Sequence, residues 1–195
     1  MGNSDRRAAG RLDAPVPPVP YAIGATMLTE HALTLDFGVH GKPHGRFRVT
    51  AWRLPQSDTA RRARRLLHDL LSRPPFAAHE VAELEVVVTE LATNAGSYAP
   101  GPYELRVLHD RDLPIRVEVA DAGGGVPLVE RLLHRPFTAP GHVDELELGG
   151  RGLRIVNEFT AGRCGARWTR LCGTGQIGTG VWFDLPVHPL RREVP

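Results

Sequence analysis

The chain has 195 residues, of which 42% are hydrophobic, enough apolar material for one globular domain with a real core. Its formal net charge at pH 7 is only +2, which argues against nucleic acid or a membrane surface as the partner. The two cysteines, Cys164 and Cys172, form no paired zinc-ligand motif, and no apolar run reaches the roughly 20 residues that cross a bilayer. We therefore expect a cytoplasmic protein that binds neither nucleic acid nor membrane.

Both ends of the chain are predicted to lie outside the folded domain. Residues 1–20 combine charge, glycine and proline, so we expect a flexible N-terminal tail, and residues 189–195 form a short C-terminal tail. Residues 21–45 give an uncertain extension, in which the stretch "HALTLDFGV" has the pattern of a short strand. The folded domain is expected over residues 46–188.

A strand and a helix are predicted at the start of this domain. Alternating apolar residues indicate a strand from Phe47 to Pro55. A helix follows, with Ser57 or Asp58 as its N-cap. The apolar stripe of this helix consists of Ala60, Ala63, Leu67 and Leu70. The arginines between these positions are expected to form a solvated helix face rather than a binding patch.

The second predicted helix, from His79 to about Ser97, carries the first candidate functional residues. Its core stripe consists of Val81, Leu84, Val88, Leu91 and Ala95. A second line with the same spacing runs beside that stripe and consists of Glu83, Val87, Glu90 and Asn94. Because side chains four apart lie over one another, Glu90 and Asn94 point the same way. An amide oxygen suits Mg²⁺, and a carboxylate one turn earlier suits a general base. Such pairs are also common on solvated helix faces.

A hairpin of Tyr103–Asp110 and Ile115–Asp121 brings a carboxylate to the end of an apolar strand face. Asp121 follows Ile115, Val117 and Val119 on that face. A carboxylate there needs hydrogen-bond donors, which are either backbone N–H groups of the chain or the amino group of a purine. The glycines at positions 123–125 remove every Cβ beside Asp121, which permits a positive φ and the close approach of a flat ligand.

The segment 126–148 shows no sustained period and is long for a connection, so it is predicted to be either functional, as a lid, or disordered. A third helix is expected to begin near Gly149–Gly152, with Leu153, Val156 and Phe159 facing inward. Free N–H groups at a helix start attract phosphate, and Arg151 could add a bidentate contact. A flexible hinge with a capping glycine remains the alternative for this glycine group.

Two further strands, Ala166–Leu171 and Val181–Pro186, complete the predicted domain. The "GTGQIG" before the second strand matches the dinucleotide fingerprint, but a strand follows where that motif needs a helix. We therefore predict a hairpin loop there. The three tryptophans, Trp52, Trp168 and Trp182, lie in strand patterns and are expected to be packing residues.

The order of these motifs along the chain resembles the histidine-kinase-like ATPases over about residues 46–186. "TELATNA" resembles the N box of that superfamily, "DAGGG" its first glycine box and "GGRGL" its second. Within the superfamily, "SDTARRARRLLHDLL" and "GTGVWFDLP" are similar to the anti-sigma factor serine kinases, especially the actinobacterial ATP-binding regulators. Tyr98 stands where that family often has histidine.

The resemblance implies an α/β two-layer sandwich of the Bergerat type, with a mixed, mostly antiparallel sheet, helices on one face, and ATP between the helices and the lid. It implies that Asn94 holds Mg²⁺, that Glu90 is the catalytic base and that Asp121 binds the adenine amino group. Further nucleotide contacts are implied for Gly123, Gly125, Gly150, Arg151, Gly152 and Leu153. Thr179 shares strand parity with Val181, so it could reach the adenine directly or through water.

The leading functional hypothesis is an Mg·ATP-binding anti-sigma factor that phosphorylates a serine or threonine of an antagonist protein and sequesters a sigma factor. The alternative is a non-catalytic ATP-sensing module that sequesters its partner. A sensor histidine kinase is less favoured, since no phosphoacceptor helix or membrane segment is evident. The resemblance also implies a homodimer.

Overall fold

The structure, a computed structural model, describes residues 24–29, 32–37, 47–135 and 147–186. Its strands are β1 (Gly24–Thr29), β2 (Ala32–Phe37), β3 (Phe47–Leu54), β4 (Tyr103–Asp110), β5 (Leu113–Asp121), β6 (Cys164–Arg170) and β7 (Ile177–Asp184). Its α-helices are α1 (Thr59–Leu71), α2 (Ala78–Tyr98), α3 (Val126–Leu133) and α4 (Glu147–Phe159). The two predicted tails and residues 136–146 of the predicted lid lie outside the described residues.

The strands form one sheet in the order β1-β2-β3-β4-β5-β7-β6. The predicted two-layer sandwich, mostly antiparallel with helices on one face, is confirmed, and each pairing between described strands is antiparallel. The uncertain extension contributes β1 and β2, and "HALTLDFGV" contains the predicted strand. No helix of the described ranges is both long and apolar enough to span a bilayer.

Helix α1 has the expected apolar stripe and the expected N-cap residue, but not a side-chain capping hydrogen bond. Ala63 and Leu67 are buried, as predicted from their spacing. The carboxylate of Asp58 does not bond to the helix N–H groups. It accepts from Nε of Arg61 at 2.8 and 2.9 Å, and this ion pair draws it away from the helix end. Asp58, one of the two predicted candidates, is thus the N-cap residue by position, but its side chain does not cap the helix.

Helix α2 lies at the centre of the helical layer, against α1, α4 and β5. In this position α2 buries more of its surface than the predicted core stripe alone. Val87 is therefore fully buried, although the sequence placed it on the second line with Glu90 and Asn94. Glu90 and Asn94 themselves are half-buried. The line therefore runs into the interior of the domain instead of lying on a solvated face.

Helix α3 occupies residues for which no period was predicted. Gly125 is its N-cap, and Pro127 lies in its first turn, where a missing N–H breaks no helical hydrogen bond. Eight residues are too few to establish a helical period in the sequence. The carboxylate of Glu130 accepts the N–H of Ala166, which ties α3 to the edge strand β6.

Helix α4 begins at Glu147, so the second glycine group lies inside the helix and not before it. Leu153 and Val156 are buried as predicted, but Phe159 is 42% exposed because it lies at the last helical residue, beyond the core. The β6–β7 connection is the predicted hairpin, closed by a hydrogen bond from the N–H of Leu171 to the carbonyl of Gln176 at 2.8 Å.

The face of the sheet opposite the helices carries a buried network of charges. The Arg106 guanidinium donates to Glu104 at 2.7 Å and to Glu118 at 2.8 Å, and Arg167 donates to Glu118 at 2.7 Å. Glu104 also accepts the N–H of Cys172 at 2.9 Å, which holds the β6–β7 loop on the sheet. This network joins β4, β5 and β6 on the side of the sheet away from the helices.

Candidate functional site

A cavity of about 460 Å³ lies between the helices and the ends of β5 and β7. Its wall is largely apolar, with a small number of polar groups, which is the usual character of a small-molecule site. Six of the residues that the resemblance implies line this cavity: Asn94, Asp121, Gly123, Gly125, Leu153 and Thr179. The fold therefore brings together residues that are up to 85 positions apart, from Asn94 to Thr179.

Asp121 is the buried carboxylate of this cavity, with only 6% of the residue exposed. Its Oδ1 accepts the N–H of Gly123 at 2.7 Å, and the other oxygen has no hydrogen-bond partner in the described part of the chain. Burial raises the pKa of this carboxyl, and the hydrogen bond from Gly123 offsets part of that rise. One oxygen is thus satisfied internally, while the other is left to accept a donor from a ligand.

The glycine segment, residues 123–125, is shaped by close packing and not by left-handed backbone. None of its three residues has a positive φ, so that expectation is wrong. A Cβ on Gly123 would lie 2.9 Å from Oδ1 of Asp121 and 3.2 Å from Cβ of Ala99, so any other residue there would have to displace the Asp121 carboxylate. The N–H of Ala122 donates to the carbonyl of Pro100 at 3.0 Å, which anchors the segment to the end of α2.

Thr179 fixes the glycine segment from the neighbouring strand. It pairs directly with Asp121 and is only 2% exposed. Its hydroxyl donates to the carbonyl of Gly123 and accepts the N–H of Gly125, both at 2.9 Å. Its proton is therefore already used, and a ligand at this point would meet the hydroxyl as an acceptor.

Glu90, Asn94 and Gly152 meet where α2 contacts α4. A Cβ on Gly152 would overlap Oε2 of Glu90 and would lie 3.5 Å from Nδ2 of Asn94. The absence of a side chain at Gly152 therefore gives both α2 side chains their space. Nδ2 of Asn94 is buried, and no residue in the described ranges forms a hydrogen bond with it, a costly state that a bound ligand would relieve.

The donor set of this region suits Mg²⁺ held mainly by a nucleotide. Within the described ranges, no group of three or more His, Cys, Asp or Glu side chains could hold a metal ion. Mg²⁺ commonly uses one or two protein oxygens together with phosphates and water. The side-chain amide of Asn94 lines the cavity and fits that limited role.

Four residues of the predicted site do not line the cavity: Glu90, Gly150, Arg151 and Gly152. Arg151 is exposed, and Gly150 lies in the first turn of α4. The first four N–H groups of a helix lack intrahelical acceptors, so in α4 these belong to residues 147–150. Phosphate contacts by Gly150, Arg151 and Gly152 stay predictions.

The sequence did not reveal the contribution of α3 or of Tyr98. Leu128, Val129 and Leu132 form one side of the cavity, and α3 is too short for their spacing to have indicated a helix. Tyr98, noted only as a departure from the family pattern, lines the cavity while remaining 73% exposed. Both features depend on how α2 and α3 pack, which no local pattern encodes.

Comparison with known proteins agrees with this arrangement. The model of the histidine kinase-like ATPase domain matches residues 54–162, a span that includes Asn94, Asp121 and Gly152. No curated protein matches the chain. Since the matched span is more than half of the chain, and the cavity lies between its helices and sheet, the chain belongs to the histidine kinase-like ATPase domain family.

Proposed function

We propose that this protein is an Mg·ATP-binding regulator that phosphorylates a serine or threonine of an antagonist protein. Membership of the family implies ATP binding. The observation that carries the proposal is Asp121, a buried carboxylate in an apolar cavity with one oxygen that no described residue satisfies. The exocyclic amino group of adenine is a donor that such an oxygen accepts, and the largely apolar wall suits a flat base.

The phosphate end of the nucleotide is assigned to the region of Asn94 and α4. Asn94 would hold Mg²⁺, and the metal would supply charge neutralisation on the phosphates. The N-terminal turn of α4 offers free N–H groups and the positive end of the helix dipole. These groups support phosphate binding without a lysine of the P-loop type.

Glu90 is the proposed general base for transfer. The substrate hydroxyl oxygen attacks the γ-phosphorus, the bond to the β–γ bridging oxygen breaks, ADP departs, and the hydroxyl proton passes to the Glu90 carboxylate. The proposal is supported by the position of Glu90 one turn before Asn94, against the same Gly152. The proposed protein partners are the antagonist and a sigma factor, and a homodimer is the proposed assembly.

One observation favours a second candidate, a non-catalytic ATP-sensing module that sequesters its partner. The Glu90 carboxylate packs against Gly152 and does not line the cavity. A side chain in that place can report on the position of α4 without entering the reaction. In this alternative the nucleotide-loaded protein binds its partner and forms no phosphorylated product.

Calorimetric titration with ATP, with and without Mg²⁺, tests nucleotide binding first. Wild type is expected to bind ATP, and Asp121→Asn to bind roughly ten- to a hundredfold more weakly, the scale of one hydrogen bond to a charged group. Asp69→Asn, an exposed position on α1, is the matched control and should bind as wild type does. Equal affinity in Asp121→Asn and wild type would overturn the assignment of the base site.

Transfer of labelled γ-phosphate then separates the two candidates. Proteins encoded beside this gene are the substrates to test, with wild type and Glu90→Ala compared at saturating ATP. Transfer by wild type that is lost in Glu90→Ala supports the kinase. ATP-dependent partner binding without labelled product supports the sensing module, and transfer that survives in Glu90→Ala shows that Glu90 is not the base.

A further inference from the structure

We propose that Tyr98 recognises the sugar of the bound nucleotide, through a hydrogen bond between its hydroxyl and a ribose hydroxyl. This inference rests on the proposed function, because it takes the cavity as an ATP site with the base at Asp121 and the phosphates near Asn94. It adds to that function a preference for ribonucleotides over their deoxy analogues. Tyr98 is the last residue of α2, and it lines the cavity.

Tyr98 belongs to the side of α2 that faces the cavity. The residues of α2 that line the cavity are Leu91, Asn94, Ala95 and Tyr98. Residues three, four and seven positions apart share one face of a helix, so Tyr98 projects from the same side as Asn94. Side chains of an α-helix lean back toward its N-terminus, and this direction brings the tyrosine ring over the turn that carries Asn94.

The position of Tyr98 along α2 lies between the two ends of the proposed ligand. On one side, the carbonyl of Pro100 accepts the N–H of Ala122 at 3.0 Å, which joins the end of α2 to the chain beside Asp121. On the other side, Asn94 stands one helical turn before Tyr98. In ATP the ribose connects the adenine to the phosphates. With the adenine at Asp121 and the phosphates near Asn94, the ribose lies beside Tyr98.

The other polar side chains of the cavity wall already have a role. Four of the described side chains that line the cavity carry a hydrogen-bonding group: Asn94, Tyr98, Asp121 and Thr179. Asp121 is assigned to the adenine and Asn94 to Mg²⁺. The Thr179 hydroxyl already bonds to two backbone groups of the glycine segment, both at 2.9 Å. The Tyr98 hydroxyl forms no hydrogen bond with any residue of the described ranges, so it remains for the ribose.

The exposure of Tyr98 makes its side chain available to a sugar. The residue is 73% exposed, so its ring and hydroxyl meet solvent where they line the cavity. A tyrosine combines an apolar ring with a polar tip, and a ribose combines C–H groups with hydroxyls. The ring can therefore pack against the sugar while the two hydroxyls form a hydrogen bond. One neutral hydrogen bond of this kind changes affinity by roughly two- to tenfold.

Calorimetric titration with ATP, 2′-deoxy-ATP and 3′-deoxy-ATP tests the hydrogen bond. Wild type is expected to bind one of the two analogues roughly two- to tenfold more weakly than ATP. Tyr98→Phe should bind ATP more weakly by the same factor and should no longer distinguish ATP from that analogue. The reason is that the two changes remove the two partners of one bond, so their effects do not add.

Tyr103→Phe is the matched control for Tyr98→Phe. This variant also loses a phenol hydroxyl, but that hydroxyl donates to the carbonyl of Ala99 at 2.9 Å inside the fold. Tyr103→Phe should therefore keep the wild-type ratio of affinities for ATP and the analogue. A change of that ratio in Tyr103→Phe as large as in Tyr98→Phe would contradict a specific role of Tyr98.

Tyr98→Ala separates the contribution of the ring from that of the hydroxyl. It should bind ATP more weakly than Tyr98→Phe does, since it removes the packing surface as well as the bond. Wild-type ATP affinity in Tyr98→Phe together with a loss in Tyr98→Ala would show that only the ring acts, and the hydrogen bond would be wrong. Thermal unfolding should show both variants folded at the titration temperature, because the side chain they change is exposed.

Asp121→Asn distinguishes failure of this inference from failure of the proposed function. That variant should weaken ATP and both analogues by the same factor, since Asp121 is assigned to the base and not to the sugar. If wild type binds ATP, needs Asp121 for it and binds both analogues equally well, the proposed function stands and the sugar contact is overturned. If wild type binds no adenine nucleotide, both are overturned.

Discussion

Gly178 on β7 lies so close to Asp121 on β5 that a Cβ at position 178 would overlap the main-chain carbonyl oxygen of Asp121. The same Cβ would approach the Cα of Ala122 to 3.0 Å. Gly178 was placed in a hairpin loop from the sequence, yet it sets the spacing between the strands at the cavity. The requirement is steric, since the obstructing atoms belong to the backbone and cannot rotate away.

Gly178→Ala should therefore weaken both stability and ATP binding. The strands must separate to admit the methyl group, at a cost of about 1–3 kcal/mol. Urea unfolding measures the first effect and calorimetric titration the second. Gly124→Ala is the stability control, because its Cβ would meet nothing nearer than 3.6 Å. Equal loss of stability in the two variants would contradict this explanation.

Gly152→Ala should separate stability from phosphoryl transfer. Alanine in a helix is more favourable than glycine by roughly 0.5–1 kcal/mol, and the atom in its way is the end of the flexible Glu90 side chain. The variant should thus fold at least as stably as wild type while Glu90 is turned aside. Transfer should fall by a large part of the roughly 10²–10⁴-fold that a positioned base contributes.

A double-mutant cycle gives the decisive control for Gly152→Ala. Combined with Glu90→Ala, the Gly152→Ala change should cause little further loss of transfer, because both act through one carboxylate. Additive losses would show instead that the methyl group disturbs the nucleotide directly. Thermal unfolding of all three variants confirms that each is folded at the assay temperature.

The raised pKa of Asp121 predicts that the charged carboxylate lowers the stability of the folded protein at neutral pH. Burial holds the folded-state pKa above the usual 3.8, so the folded protein binds this proton more tightly than the unfolded chain. The contribution of the protonated Asp121 carboxyl to folding stability is fully present below pH 3.8, and it is lost as the pH rises through the raised pKa. Asp121→Asn should accordingly raise the melting temperature at pH 7.5, and the gain should shrink as the pH is lowered toward 4.

Asp58→Asn is the control for this pH experiment, because the pKa of Asp58 is shifted in the opposite direction from that of Asp121. Hydrogen bonding to Arg61 lowers the pKa of Asp58, so its contribution is present at neutral pH and is lost on acidification. Asp58→Asn should therefore not raise the melting temperature at pH 7.5. If both variants shifted stability in the same direction, burial would not be the cause of the Asp121 effect.

Loss of Arg106 should strongly destabilise the protein through the outer face of the sheet. Glu104 and Glu118 are buried on either side of this guanidinium, and its removal leaves their charges without their shared partner. Arg106→Met is expected to cost roughly 3–5 kcal/mol in urea unfolding, the range for a broken buried ion pair. Arg61→Met, at a solvent-exposed pair, should cost far less. Similar costs in the two variants would contradict the burial argument.

Local sequence patterns were sufficient to predict those helices and strands that pack one apolar face against the core. The spacing of Val81, Leu84 and Leu91 predicted α2, and alternation in β4 and β5 predicted the hairpin, because helical and strand periods follow directly from backbone geometry. Asp121 was found the same way, since its parity placed it on the apolar face. The order of the glycine groups along the chain then indicated the family.

Packing decided what the local pattern could not. Helix α3 was missed because eight residues with a proline at the start show no period, and it forms only where it can cover β6 and the cavity. Gly178 acquires its role from the pairing of β5 with β7, in which the partners Asp121 and Thr179 are 58 positions apart in the sequence. The sequence alone therefore determined the kinds of elements and the chemical groups available, since those depend on neighbours along the chain. Only the tertiary structure determined which oxygen of Asp121 stays free and what holds the glycine segment, because these depend on contacts between distant strands.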